Sequence, residues 1–123
     1  MLRSLVGSEM CIRDRYNRAL KEIKTISLPL IGDDCNPVWH LYVIQSEERD
    51  PLAAHLKNQG IPTVINYPVS LPFLPAYDRL EHGPSDFPNA YNMQSRILSL
   101  PIFPEMTEEQ IVYVCDGIKS FYA

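Results

Sequence analysis

At 123 residues, with 46% hydrophobic residues and a net charge of −4, the chain has room for one domain with a small core. No lysine and arginine stripe could track phosphates, which sets nucleic-acid binding aside, and no apolar run nears the roughly 20 residues that span a bilayer. Cys11, Cys35 and Cys115 are odd in number and far apart, so they fit neither a disulfide framework nor a C-x-x-C metal site and read as reduced thiols of a cytoplasmic protein.

Residues 1–15, MLRSLVGSEMCIRDR, lack the apolar stretch of about 7–15 residues that a secretory signal needs. The segment resembles the translated read-through of a sequencing adapter. It is therefore set aside as a leader, expected to be irregular; the other reading is a natural N-terminal helix arm. Domain sequence then begins at residue 16 and runs to 123.

Tyr16 to Ile26 reads as the end of an amphipathic helix, with Leu20, Ile23 and Ile26 at helical spacing among charged residues. Ser27 to Pro37 carries Pro29, Gly32, Asp33, Asn36 and Pro37, which marks a connecting loop. Val38 to Ile44 is rich in aromatic and β-branched residues and is apolar on both faces, which predicts a central strand. Asp50 followed by Pro51 predicts a helix start, Leu52, His55 and Leu56 its buried face, and Gly60 its stop.

Thr63 to Tyr67 predicts a second short strand. Pro68 to Pro75 holds three prolines and must be a stiff, preformed loop. Asp86-Phe87-Pro88 opens a helix to about Arg96, and Ile97 to Leu100 is a third strand stopped by Pro101. Thr107 with Gln110 forms a capping box, and Ile111, Val114, Cys115 and Ile118 line the helix behind it to about Phe121. The fold class expected is α+β, about three short strands covered by helices on one face.

No catalytic constellation is legible. His40 reads as a core or sheet-edge residue, His55 as helix packing and His82 as a solvated loop residue; a metal pair of Cys35 with His40 lacks further ligands. The segment Val64 to Tyr77 is different. A strand ends and becomes at once a proline-stiffened loop, which lowers the freedom to be lost on ligand binding. Asn66 and Tyr67 offer donors and acceptors there and are the candidate substrate-binding residues. The alternative is a structural loop packed on the sheet.

The run Val38-Trp39-His40-Leu41-Tyr42-Val43-Ile44, the helix end Lys57-Asn58-Gln59-Gly60-Ile61, then Ile65-Asn66-Tyr67-Pro68, Leu74-Pro75-Ala76-Tyr77 and Ser99-Leu100-Pro101-Ile102-Phe103-Pro104-Glu105-Met106-Thr107 together resemble the C-terminal domain of the DegT/StrS sugar aminotransferase family. The resemblance covers about Tyr16 to Ala123. It implies a fold-type I enzyme dependent on pyridoxal phosphate that moves an amino group from glutamate onto a nucleotide-linked keto-sugar, working as a homodimer.

It also implies that the Schiff-base lysine and the phosphate-binding residues lie in a large domain upstream. Lys21, Lys24, Lys57 and Lys119 match none of those positions, so the chain would form part of the substrate wall and be inactive alone. Where the family often reads His-Tyr-Pro and Pro-Leu-His, this chain reads Asn66-Tyr67-Pro68 and Ser70-Leu71-Pro72. That version resembles the branch acting on C-3 of dTDP-linked 3-keto-6-deoxyhexoses. Two other readings stand beside it: a freestanding, non-catalytic module that binds a sugar nucleotide or a partner, and a fragment of a sugar dehydratase dependent on the same cofactor.

Overall fold

In the computed structural model, which describes residues 5–123, the chain begins with helix α1, Leu5–Leu20. Strand β1 (Ile26–Ser27) and, after a long loop, strand β2 (Tyr42–Ser46) follow. Helix α2 is Arg49–Asn58, helix α3 Pro88–Met93, strand β3 Ile97–Leu100 and helix α4 Glu108–Phe121. The three strands form one antiparallel sheet in the order β1-β2-β3, so β2 is central.

Alternation along β2 and β3 decides which face is dry. Tyr42 pairs with Leu100 and Ile44 with Leu98, and all four side chains are buried. On them rest Ile12, Tyr16 and Leu20 of α1, Leu52 and Leu56 of α2, and Ile111, Val114, Cys115 and Ile118 of α4. The fold is thus the α+β layer expected from the order of elements. Tyr16 stacks on Tyr42 with ring centroids 4.9 Å apart and donates its hydroxyl to Pro101 O at 2.5 Å. Burial pushes both phenols well above their ordinary ionisation range, so both stay protonated donors.

The capping box at α4 is formed in both directions: Gln110 N donates to Thr107 Oγ1 at 3.2 Å, and Thr107 N to Gln110 Oε1 at 2.9 Å. Gly60 has φ 74°, the left-handed conformation that closes α2.

Several boundaries differ from expectation. Residues 5–15 are helical, not irregular; residues 1–4 lie outside the described residues. The helix ordered by Tyr16 and Leu20 propagates backwards at one hydrogen bond per residue, because no proline stops it and Ile12 falls on the core stripe. At the other end the helix stops at Leu20, and Ile26 belongs to β1, a strand too short to leave a period.

The central strand starts at Tyr42 rather than Val38. Val38 and His40 are exposed and only Trp39 turns inward, so His40 is neither a core nor a sheet-edge residue. The N-cap position of α2 is Glu48, which makes no side-chain cap bond, and Asp50 lies inside the helix, its carboxylate accepting from Arg49 Nε at 2.7 Å. Thr63 to Tyr67 is no strand: only Val64 makes a bridge, to Ser99. Helix α3 ends at Met93, short of Arg96.

Packing between α2 and α4 depends on Gly117. A Cβ there would lie 2.7 Å from Ile61 Cδ1, 2.7 Å from Gln59 Oε1 and 3.1 Å from Leu56 Cδ2. Gln59 can swing aside, but Ile61 and Leu56 are held in the core. Gly117→Ala gains about 1 kcal/mol of helix propensity and loses about 1–3 kcal/mol to overpacking. A net loss of about 1 kcal/mol is expected in urea denaturation; a stabilised variant would show that the two helices can move apart.

Candidate functional site

The candidate site lies where the chain leaves α2 and meets β3. Gly60 turns the chain, Ile61 N returns to Leu56 O at 2.9 Å, and the buried Ile61 side chain fixes the exit. The chain then extends beside β3: Val64 N donates to Ser99 O at 3.2 Å and Ser99 N to Val64 O at 2.7 Å. Two residues on, Asn66 Oδ1 accepts from Ser99 Oγ at 2.8 Å. The Asn66–Tyr67 peptide is cis.

Asn66 is half-buried, whereas Tyr67 is 72% exposed and stands out from the surface. The two predicted residues are therefore neighbours with different situations. Asn66 is held by the sheet, and Tyr67 presents a free ring and hydroxyl.

The proline loop beyond is braced on α3. Ser70 N donates to Gln94 Oε1 at 2.8 Å, and Ser70 Oγ donates to Ala90 O at 2.6 Å. Phe73 meets Tyr91 edge to face at 5.4 Å. The end of α3 is fixed in turn, because the buried Arg49 donates to Gln94 O at 2.7 Å. Prolines 72 and 75 set short 3₁₀ turns, Leu71–Phe73 and Pro75–Leu80.

Ser70, Gln94 and Ser99 brace this candidate site and are not among the residues the sequence singles out for binding. A signal existed for Ser99, a hydroxyl inside the apolar run Ile97-Leu98-Ser99-Leu100. None existed for Gln94, whose partner lies 24 residues away.

The histidines stand apart from this edge. His55 packs against Phe121 and bonds Gly117 O at 3.1 Å and Ser120 Oγ at 3.0 Å. Ser120 gives its own proton to Gly117 O at 2.8 Å, so the pair serves packing. His82 is half-buried against Phe87 rather than solvated. Among the described residues no three of His, Cys, Asp and Glu gather as a metal-ligand group.

Fold and site together define a small α+β domain that offers one braced, polar edge. The chain belongs to the DegT/DnrJ/EryC1/StrS aminotransferase family, whose model matches residues 2–119. It is 33% identical over 115 residues to the dTDP-3-amino-3,4,6-trideoxy-alpha-D-glucose transaminase of Streptomyces venezuelae, covering 94% of this chain and 30% of that protein. It is 34% identical to the dTDP-3-amino-3,6-dideoxy-alpha-D-galactopyranose transaminase of Aneurinibacillus thermoaerophilus, covering 83% of this chain and 28% of that protein.

The crystal structure of S. venezuelae DesV in complex with a ketimine intermediate superposes with a TM-score of 0.87 at 32% identity, over 95% of this chain and 32% of that one. The chain thus spans under a third of the length of these relatives.

Pyridoxal phosphate, the cofactor the resemblance implies, needs a lysine and a cradle of donors for its phosphate. The segment Val64 to Tyr77 contains neither lysine nor arginine. Lys21, Lys24, Lys57 and Lys119 are all exposed, on α2, on α4 and around the end of α1. The residues present do not fit the cofactor by themselves.

Proposed function

We propose that the chain, with α1 packed into its core through Ile12, is the C-terminal domain of a transaminase dependent on pyridoxal phosphate. The parent enzyme moves an amino group from glutamate to a keto-sugar carried on a nucleotide. Two relatives named as dTDP-3-amino-sugar transaminases support a dTDP-linked 3-keto-6-deoxyhexose as the substrate. The cofactor and its lysine sit in a large domain upstream, and a second copy of the enzyme completes the active site. Three free thiols suit a reducing cytoplasm, and no helix among the described residues is long and apolar enough to cross a membrane.

The observation that carries this reading is the braced edge at Asn66 and Tyr67. A half-buried amide fixed on β3 beside an exposed phenol can meet a hydroxylated ring by hydrogen bonds and by packing, with little freedom left to lose. In the full-length enzyme, Asn66→Ala and Tyr67→Phe should each raise KM for the nucleotide-sugar about threefold to tenfold, the worth of one hydrogen bond. The half-reaction with glutamate should not change. Steady-state kinetics against each substrate checks this, and unchanged sugar kinetics in both variants would remove these residues from the site.

A further inference from the structure

Ser99 sits at the centre of β3 and is only 5% exposed. Its backbone makes both bonds of the bridge to Val64, so its position is set by the sheet. Its hydroxyl donates to Asn66 Oδ1 at 2.8 Å. The amide oxygen of Asn66 is thereby engaged, while its nitrogen has no protein partner and is not closed off from solvent. A primary amide turned freely could present either its oxygen or its nitrogen; one bound through the oxygen presents two N–H donors.

We propose that Ser99 is a positioning residue: its hydroxyl orients the Asn66 amide so that the nitrogen faces the ligand and selects an acceptor oxygen on it. This rests on the reading of Asn66 as substrate-facing. It adds that the group recognised is an acceptor, a hydroxyl, carbonyl or phosphate oxygen, and that recognition depends on a residue that never touches the ligand. A buried serine in an apolar strand is otherwise unfavourable, because its hydroxyl must find a partner. Here the partner found is the candidate binding residue itself.

The test is a double-mutant cycle in the full-length holoenzyme with Ser99→Ala, Asn66→Ala and the pair. Ser99→Ala should raise KM for the nucleotide-sugar about threefold to tenfold and leave the glutamate half-reaction unchanged. The double variant should be no worse than Asn66→Ala alone, because Ser99 acts only through that amide. If Ser99→Ala leaves KM unchanged while Asn66→Ala raises it, or if the two effects multiply, the proposal is overturned and Asn66 keeps its role. If Asn66→Ala itself has no effect, the underlying reading fails and takes this proposal with it. Equal loss in both half-reactions would assign Ser99 to structure alone, against the proposal. Should Ser99→Ala fail to fold, Ser99→Cys keeps the volume with a weaker donor and completes the same cycle.

Discussion

Tyr16→Ala will lower the stability of the domain by about 3–5 kcal/mol, a large share of the roughly 5–15 kcal/mol available to a folded chain. The ring is fully buried, stacks on Tyr42 of the central strand, and ties α1 to the segment after β3 through Pro101 O. Its hydroxyl also lies 3.7 Å from the sulfur of the buried Met106. Truncation therefore opens a cavity between helix and sheet and leaves a carbonyl without its donor. Tyr16→Phe keeps the volume and should lose only about 1 kcal/mol, the net worth of the hydrogen bond.

Urea denaturation of both variants separates these contributions. A loss under about 1 kcal/mol in the alanine variant would mean that α1 is not part of the cooperative core. Alkali should act through the same ring. Its ionisation is held above the ordinary value of about 10 by burial, so the unfolded chain loses its proton first. The stabilisation is present below that pH and fades as pH rises beyond it.

Given pyridoxal phosphate, glutamate and a dTDP-linked keto-sugar, the 123-residue chain will release no 2-oxoglutarate above background. Amino transfer needs a carbonyl cofactor held by a lysine in a site that excludes water. Lys21, Lys24, Lys57 and Lys119 all stand in solvent, and the edge at Asn66 and Tyr67 contributes no cation. A coupled assay for 2-oxoglutarate checks this. Turnover that depends on the cofactor would overturn the assignment of the chemistry to an upstream domain.

Much of the framework was legible. Strand β3 has the bounds read from Ile97 to Leu100 and its stop at Pro101. The α4 capping box and its buried face at Ile111, Val114, Cys115 and Ile118 are as the spacing dictates. Gly60 closes α2 with the positive φ that only glycine takes without strain. These features are local, set within one turn or one pleat, so composition and period suffice to find them.

The misses share a different cause. Val38 to Leu41 has strand composition but no partner strand, and β propensity forms a strand only where a ladder is available. Ile26 continues the helical spacing of Leu20 and Ile23, whereas the two-residue strand it joins carries no period of its own. Thr63 to Tyr67 has strand residues, yet only Val64 finds a partner, in the single bridge to Ser99.

For function the division is similar. By itself the sequence determined the class of fold, the family resemblance, and Asn66 and Tyr67 as the residues to watch, because prolines and polar side chains in a strand-to-loop turn are visible in one dimension. Only the tertiary structure decided what holds them. Ser99 lies 33 residues from Asn66, and Gln94 lies 24 from Ser70. Hydrogen bonds across such separations exist because sheet register and helix packing bring the groups within 3 Å, and no local pattern encodes that approach.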